Sequence, residues 1–213
     1  IVIDQDPEAI AVATDLKQQF PQLIIIQDNY SKLYEICAAE NIVGKVDGIL
    51  IDCGVSSPQL DNPERGFSFA KAWPLDMRMN NNAAQTVGQW LEKVSAKVLA
   101  DVLYEYADEH YSRPIARAII AARKDKAFTT TSQLAEIIKL AHPKWPKDIH
   151  PATKSFQAMR IFINQELSHL QATLHDSVDV LKTGGRLCVI SFHSLEDRMV
   201  KQFINKYSKV APE

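Results

Sequence analysis

The stretch Val46-Asp47-Gly48-Ile49-Leu50-Ile51-Asp52 decides the fold. It is a short apolar run that ends on an acid, which is typical of a buried strand. Two similar runs precede it, Ile1-Val2-Ile3-Asp4 and Leu23-Ile24-Ile25-Ile26, and helices are predicted between the strands, from Pro7 to about Gln19 and from Tyr30 to Ala39. Strands and helices that alternate at this spacing predict an α/β fold with a parallel, doubly wound sheet.

The pattern changes after this strand. Residues 53–82 carry turn formers, and residues 83–147 carry only helical patterns. Apolar residues at helical spacing indicate three helices there: Val98, Leu99, Val102 and Leu103 behind a Ser95 cap; Ile115, Ile119 and Ala122; and Leu134, Ile137, Ile138 and Ala141, which Pro143 and Pro146 end. We therefore predict an α/β part over 1–82, a helical insertion over 83–147 and a second α/β part over 148–213.

The second α/β part begins with apolar residues that step by three or four from Phe156 to Leu181, which predicts one long amphipathic helix. Gly184-Gly185 is expected to stop this helix. A strand over Arg186–Phe192 and a helix from Leu195 to Tyr207 are predicted to follow.

Composition limits the class of protein. The chain has 213 residues, of which 46% are hydrophobic and 23% charged, and no apolar stretch is long enough to span a membrane. Its cysteines, Cys37, Cys53 and Cys188, have neither a metal-binding nor a disulfide spacing, so we interpret them as reduced thiols in a cytoplasmic protein. A formal net charge of −2 argues against broad electrostatic binding of nucleic acid but leaves room for a local basic patch.

Two acids end predicted strands. Asp4 stands where an acid of a doubly wound fold accepts hydrogen bonds from both ribose hydroxyls of a nucleoside, a pattern that does not separate NAD from S-adenosylmethionine. Asp52 ends the third visible strand and is expected to face the same crevice, because ligands of open α/β sheets bind at the carboxyl ends of the strands. Each acid also has a purely structural interpretation, as a helix cap or turn residue.

The loop that follows, Gly54-Val55-Ser56-Ser57-Pro58-Gln59, suits chemistry on an exocyclic amine. Such an amine attacks a methyl sulfonium better when its N–H groups donate to fixed acceptors, and backbone carbonyls near Ser57 and Pro58 are candidates. An ordinary turn is the alternative. Cys53 is a weak candidate for a nucleophile, since no basic neighbour lowers its pKa, and a small buried thiol is favoured.

Two further groups have open roles. His193 is a candidate acid–base group, whereas Ser194 is expected to cap the next helix with Asp197 at the third position. A basic cluster in the insertion, either a phosphate contact or a solvated helix face, comprises Arg113, Arg117, Arg123, Lys124 and Lys126. His142 and His150 lack metal-ligand spacing, so no metal site is predicted.

Five blocks of sequence carry a family pattern over nearly the whole chain: Ile3-Asp4-Gln5-Asp6-Pro7; Asp47 to Asp52 running into Gly54 to Asp61; Arg65-Gly66-Phe67-Ser68-Phe69 with Pro74 to Met79; His150-Pro151-Ala152-Thr153 with Phe156 to Arg160; and Gly184 to Leu187 with Ser191 to Arg198. The chain resembles the bacterial small-subunit ribosomal RNA methyltransferases of the RsmH (MraW) type. The resemblance implies a Rossmann-like methyltransferase sheet with an all-helical insertion domain, S-adenosyl-L-methionine as methyl donor, and N4-methylation of a cytidine near the decoding centre of an assembled small subunit.

The resemblance also implies roles for single residues. By matching position, cofactor contacts are expected at Asp4, Tyr30, Asp52 and Gln59, with the Tyr30 ring beside the adenine. We take Asp52, Ser57 and Pro58 as candidate catalytic-site residues, and candidate substrate contacts are Arg113, Arg117, Arg160 and His193.

The sequence departs from the family at its ends. Family members begin with a strand and a glycine-rich loop, Gly-Thr-x-Gly-x-Gly-Gly-His, whereas no glycine precedes Gly44 here. We therefore expect a truncated chain with weak cofactor binding. Two other functions are weighed: an NAD-dependent dehydrogenase, which does not explain Ser56-Ser57-Pro58-Gln59, and a non-catalytic ribosome-assembly factor that retains the fold. The oligomeric state stays open.

Overall fold

A computed structural model describes residues 1–125, 127–144 and 148–208 of the chain. Lys126 of the basic cluster and the predicted helix end at Pro146 lie outside the described residues. In chain order the elements are β1 (Val2–Asp4), α1 (Pro7–Lys17), β2 (Ile25–Gln27), α2 (Leu33–Ala39), β3 (Val46–Asp52), α3 (Ser57–Asp61), α4 (Val87–Lys93), α5 (Ala96–Ala107), α6 (Ser112–Asp125), α7 (Thr131–Ala141), α8 (Thr153–Ile163), α9 (Glu166–Val180), β4 (Leu181–Ile190) and α10 (Ser194–Tyr207).

The chain forms two compact units. One consists of Ile1–Gly54 with the residues from Glu166 onwards, and the other of Val55–Gln165. The first contains all four strands and is called the sheet unit; the second contains α3 to α8 and is called the helical unit. A mixed α/β fold with short parallel strands is therefore confirmed, consistent with a Rossmann-like methyltransferase.

The strands of the sheet unit pair in parallel, as predicted. β1 pairs with β2 from Val2↔Ile25 to Asp4↔Gln27, and β3 pairs with β4 up to Asp52↔Ile190. Among the described residues these pairs form two separate two-stranded ladders. The helix between β1 and β2 begins where the sequence predicts it, because Asp6 accepts a hydrogen bond from the Glu8 amide at 3.0 Å and Pro7 takes the first helical position.

The single long helix predicted from Phe156 to Leu181 is wrong. α8 ends at Ile163, α9 begins at Glu166, and Gln165 between them has a left-handed φ of 53°. Asn164 fixes the break, because its side chain donates to the Met77 carbonyl and accepts from the Met79 amide, both at 2.7 Å. The three- or four-residue step between apolar residues continues through the break, because α8 and α9 are separate helices that each bury one apolar face.

Gly184-Gly185 does not stop a helix either. α9 already ends at Val180, and both glycines lie in β4, where the pairing jumps from Val46↔Leu181 to Gly48↔Arg186. Gly184 has a φ of +81°, and a Cβ on Gly185 would lie 2.9 Å from the Lys182 carbonyl oxygen. The glycines therefore permit a tight bulge within the strand.

The helical unit is larger than the insertion predicted over 83–147. Its core also takes side chains from the segment before that range and from α8 after it. Thr131 links the parts directly, because its amide donates to the Trp73 carbonyl at 2.7 Å and its hydroxyl to the Lys71 carbonyl at 3.0 Å. The three predicted helices are α5, α6 and α7, and Ser95 caps α5 as expected. The insertion boundaries themselves stay a prediction.

Candidate active site

The ends of β1 and β2 are held together by side chains that follow them. Asp4 ends β1, and its Oδ1 accepts a hydrogen bond from the Asp6 amide at 2.8 Å, which orients the carboxylate. Asn29, just after β2, donates from Nδ2 to Oε1 of Gln5 at 3.1 Å. Asp4 and the turn that begins at Tyr30 therefore belong to one edge of this strand pair.

Tyr30 is tied to α9. Its carbonyl accepts a hydrogen bond from the Thr173 hydroxyl at 3.1 Å, and its half-buried side chain packs against a core cluster that comprises Ile51, Cys53, Leu170 and Leu174. Burial, followed by the nearby charges, raises the pKa of the Tyr30 hydroxyl well above its usual range. The ring therefore stays neutral, and packing rather than charge positions it.

The carboxyl ends of β3 and β4 also lie side by side. Asp52 pairs with Ile190, and the Cys53 amide donates to the Ile190 carbonyl at 3.0 Å. Asp52 is exposed, whereas Ile51 before it and Cys53 after it are buried. The strand thus presents one carboxylate at its end and anchors it between two core side chains.

Cys53 has the properties of an inert thiol. Burial is the main reason that its pKa rises to about 12, and the charges of Glu196, Asp52 and Glu166 raise it further. A thiol is nucleophilic only as the thiolate, and almost none forms at neutral pH under these conditions. This environment favours the interpretation of Cys53 as a packing residue.

The predicted cap of the last helix is wrong. His193, not Ser194, is the N-cap of α10, and Glu196, not Asp197, completes the capping box. Nδ1 of His193 accepts from the Glu196 amide at 3.4 Å, and the Glu196 carboxylate accepts from the Phe192 amide at 2.8 Å. Histidine displaces serine here because its ring nitrogen reaches the third amide while the carboxylate reaches back.

The His193 side chain is largely buried and does not face solvent as the predicted acid–base group would. Its Nε2 is buried and lies 3.1 Å from Oε1 of Glu196, although the contact is not aligned as a full hydrogen bond. Burial would raise the pKa of Glu196, but the nearby His193 and the hydrogen bond from the Phe192 amide outweigh burial and hold that pKa below its usual value. Nδ1 therefore serves the helix cap, whereas Nε2 lies beside the Glu196 carboxylate.

Glu166 lies near the same histidine. In the described part of the chain, the side-chain ligand atoms of Glu166, His193 and Glu196 lie within 4.8 Å of one another, and these residue types can bind a metal ion. The capping hydrogen bonds already account for the positions of His193 and Glu196 without an ion. The absence of a metal site stays a prediction.

The residues predicted after Asp52 belong to the helical unit. Ser57, Pro58 and Gln59 lie in α3, a helix of one turn rather than the predicted loop. Ser56 caps it, and Oε1 of the buried Gln59 accepts from the Ser56 amide at 3.0 Å. The Pro58 carbonyl accepts from the Asn62 amide at 3.0 Å, so only its second lone pair is left for a substrate amine.

The basic residues of α6 separate into two groups. Arg113, Arg117 and Lys124 are exposed, whereas Arg123 points inwards and donates from Nη1 to the carbonyls of Leu91 and Val94 at 2.6 and 2.7 Å. Arg123 therefore closes the C-terminal end of α4 through Nη1, and its interpretation as a phosphate contact stays a prediction. Arg160 lies half-buried on α8.

A family model described as the MraW methylase family matches residues 1–213. The chain belongs to this family. "Ribosomal RNA small subunit methyltransferase H" of Acinetobacter baumannii is 53% identical over 210 residues, which cover 99% of this chain and 67% of the relative. The protein of the same name from a Psychrobacter species is 50% identical over 208 residues, which cover 98% of this chain and 60% of the relative.

Family membership confirms the resemblance seen in the sequence and favours a methyltransferase over a dehydrogenase. Glu166 and Glu196, whose side chains lie near His193, are residues that the sequence reasoning did not single out. Glu196 had a usable signal, because it follows His193 by the three-residue spacing of a capping box. No comparable signal in the sequence points to Glu166.

Among the described residues, no helix is both long and apolar enough to cross a membrane.

Proposed function

We propose that this chain transfers a methyl group from S-adenosyl-L-methionine to the N4 amine of a cytidine in the decoding region of small-subunit ribosomal RNA. The proposal rests on its membership of the MraW methylase family and on relatives that are named small-subunit ribosomal RNA methyltransferases. A cytoplasmic location and a small-subunit RNA partner are parts of the same proposal.

The strand ends of the sheet unit fit a nucleoside cofactor. Asp4 places a carboxylate, oriented by the Asp6 amide, at the end of β1, where it can accept from two ribose hydroxyls. Tyr30 offers a neutral ring after β2, and Asp52 an exposed carboxylate after β3. When bound, S-adenosylmethionine supplies an electrophilic methyl group; these residues bind and orient it. Gln59 completes the proposed cofactor set.

The proposed catalytic contribution is positioning. The amine attacks a methyl group best when its N–H groups donate to fixed acceptors. Such acceptors act by accepting hydrogen bonds and do not have to take up a proton. Asp52 is an ionisable acceptor on a rigid strand, and Ser57 and Pro58 are held by the capped turn of α3. Arg113, Arg117 and Arg160 remain proposed RNA contacts. His193, whose ring caps α10, remains a proposed substrate contact as well.

Methyl transfer can be tested with small subunits that lack the modification and with isotope-labelled S-adenosylmethionine. A relative from the same family runs in parallel as a positive control, and the digested RNA is analysed by mass spectrometry. We expect label in N4-methylcytidine. Label in another nucleoside contradicts the proposed chemistry, and binding to subunits without any label favours the assembly-factor function.

A matched pair of variants tests the role of Asp52. Asp52→Asn removes the charge at the carboxyl end of β3, and Asp47→Asn removes an exposed charge from the same strand near its start, where Asp47 pairs with Lys182. We expect Asp52→Asn to lower kcat/KM by about 100-fold or more, as for the loss of a preorganised polar group. Asp47→Asn is expected to stay within about twofold of the unchanged protein. Equal activity of the two variants would remove Asp52 from the site.

A further inference from the structure

One face of α6 carries a row of cations. Among residues 112–124 of the helix, the exposed positions are 113, 117, 121 and 124, and three of these four residues are Arg113, Arg117 and Lys124. At about 100° and 1.5 Å per residue, the three cations lie within a sector of about 40° and span about 16 Å along the helix. The helix contains no acid from Ser112 to Lys124.

The three cations of this row are also free of ion pairs to any described residue. In the part of the chain that the structure describes, several lysines pair with an acid: Lys32 with Asp28, Lys97 with Asp101, Lys139 with Glu136, Lys182 with Asp47 and Lys201 with Asp197. Within those same residues, Arg113, Arg117 and Lys124 form no ion pair. The row therefore keeps its full charge although the chain as a whole is slightly acidic, at −2.

We infer that the row formed by Arg113, Arg117 and Lys124 binds the phosphate backbone of the RNA substrate. The inference rests on the proposed function and adds the surface that holds the RNA. A regularly charged polyanion can neutralise several cations along one line, and arginine can bind a phosphate through two parallel N–H groups. A protein partner would fit the row less well, because acidic side chains on a protein surface have no such fixed repeat. Arg123 is left out of the row, because its side chain is half-buried and its Nη1 donates to two carbonyls inside the unit.

Salt dependence measures phosphate contacts directly. Each neutralised phosphate contributes roughly 0.7 to 0.9 to the slope of log K against log salt concentration, so three contacts contribute about 2 to 3. Between 50 and 200 mM KCl, the affinity of the unchanged protein should then fall roughly 15- to 40-fold more than that of a variant without the row.

The variant is Arg113→Gln, Arg117→Gln and Lys124→Gln together. Its matched control removes the same number of charges from paired lysines: Lys97→Gln, Lys139→Gln and Lys201→Gln. Binding to protein-free small-subunit RNA and to unmodified small subunits is measured over a KCl series. We expect the slope to become shallower by about 2 to 3 for the α6 variant on both RNAs, with an unchanged slope for the control. A variant that keeps the charges, Arg113→Lys with Arg117→Lys and Lys124→Arg, should retain the slope, which separates lost charge from misfolding.

Three results would overturn the inference. Equal slope changes in variant and control would mean that only net charge matters. A change on intact subunits but not on protein-free RNA would assign the row to a ribosomal protein. An unchanged slope for a folded α6 variant on both substrates would show that the row does not meet RNA. Methyl transfer is recorded separately, so a protein that binds RNA through the row but transfers no methyl group contradicts only the proposed function.

Discussion

Arg123 holds the end of α4, and its replacement is expected to destabilise the helical unit. Nη1 donates to the carbonyls of Leu91 and Val94 at 2.6 and 2.7 Å, within the last turn of α4 and the residue after it. Arg123→Met keeps most of the aliphatic stem and removes both donors. Arg117→Met is the control, because it makes the same change on an exposed position of the same helix.

The magnitude follows from the two hydrogen bonds. A hydrogen bond from a charged donor contributes about 1.5–3 kcal/mol, and the two bonds share one nitrogen, so they do not add in full. We expect Arg123→Met to lower the free energy of unfolding by about 2–4 kcal/mol. Arg117→Met, which loses no hydrogen bond described in the structure, should change it by less than about 0.5 kcal/mol.

Urea titration followed by tryptophan fluorescence measures this difference. Every tryptophan of the sequence lies between residues 55 and 165, so the signal reports the helical unit. The midpoint should shift for Arg123→Met with an unchanged slope, which indicates lost stability rather than a changed native state. Equal free energies for the two variants would show that the Arg123 hydrogen bonds contribute nothing net.

Two further predictions concern groups in the sheet unit. At pH 8 an alkylating reagent should label the exposed Cys188 but leave Cys53 unmodified, because a pKa of about 12 leaves about one Cys53 thiol in ten thousand as thiolate; comparable labelling by mass spectrometry would contradict this environment. The pKa of Glu196 is lowered in the folded protein, so its charge stabilises the fold above the ordinary glutamate pKa of about 4.3, and this stabilisation is lost as the pH falls through the lower folded value. The difference in unfolding free energy between the unchanged protein and Glu196→Gln should therefore be full at pH 7 and shrink below about pH 4; a difference that is constant down to pH 3 would refute the sign.

The sequence predicts most of the sheet unit correctly because local signals and packing agree there. β3 is both apolar and bounded by turn residues, and α1 has a cap and a proline where the helix starts. The predictions fail where a distant partner overrides local spacing. The apolar period continues from α8 into α9, and only the hydrogen bonds of Asn164 to residues 77 and 79 reveal the break.

The candidate site shows the same limit. The ends of β1 and β3 place Asp4 and Asp52 from sequence alone, since a strand that ends on an acid is a local pattern. Side-chain direction is not local. Nothing in the sequence of α6 distinguishes Arg123, which closes α4, from Arg117, which faces solvent, except the helical period counted from the buried Ile115.

The cap at the start of α10 also fixes which proton the His193 ring carries. Nδ1 accepts a hydrogen bond from the Glu196 amide, so a neutral ring carries its hydrogen on Nε2, the nitrogen that lies 3.1 Å from Oε1 of Glu196. The carboxylate of Glu196 in turn accepts from the amides of Phe192 and His193. The imidazole and the carboxylate therefore hold the same helix end from opposite directions along the chain, and the loss of either side chain would leave backbone amides at the start of α10 without their acceptor.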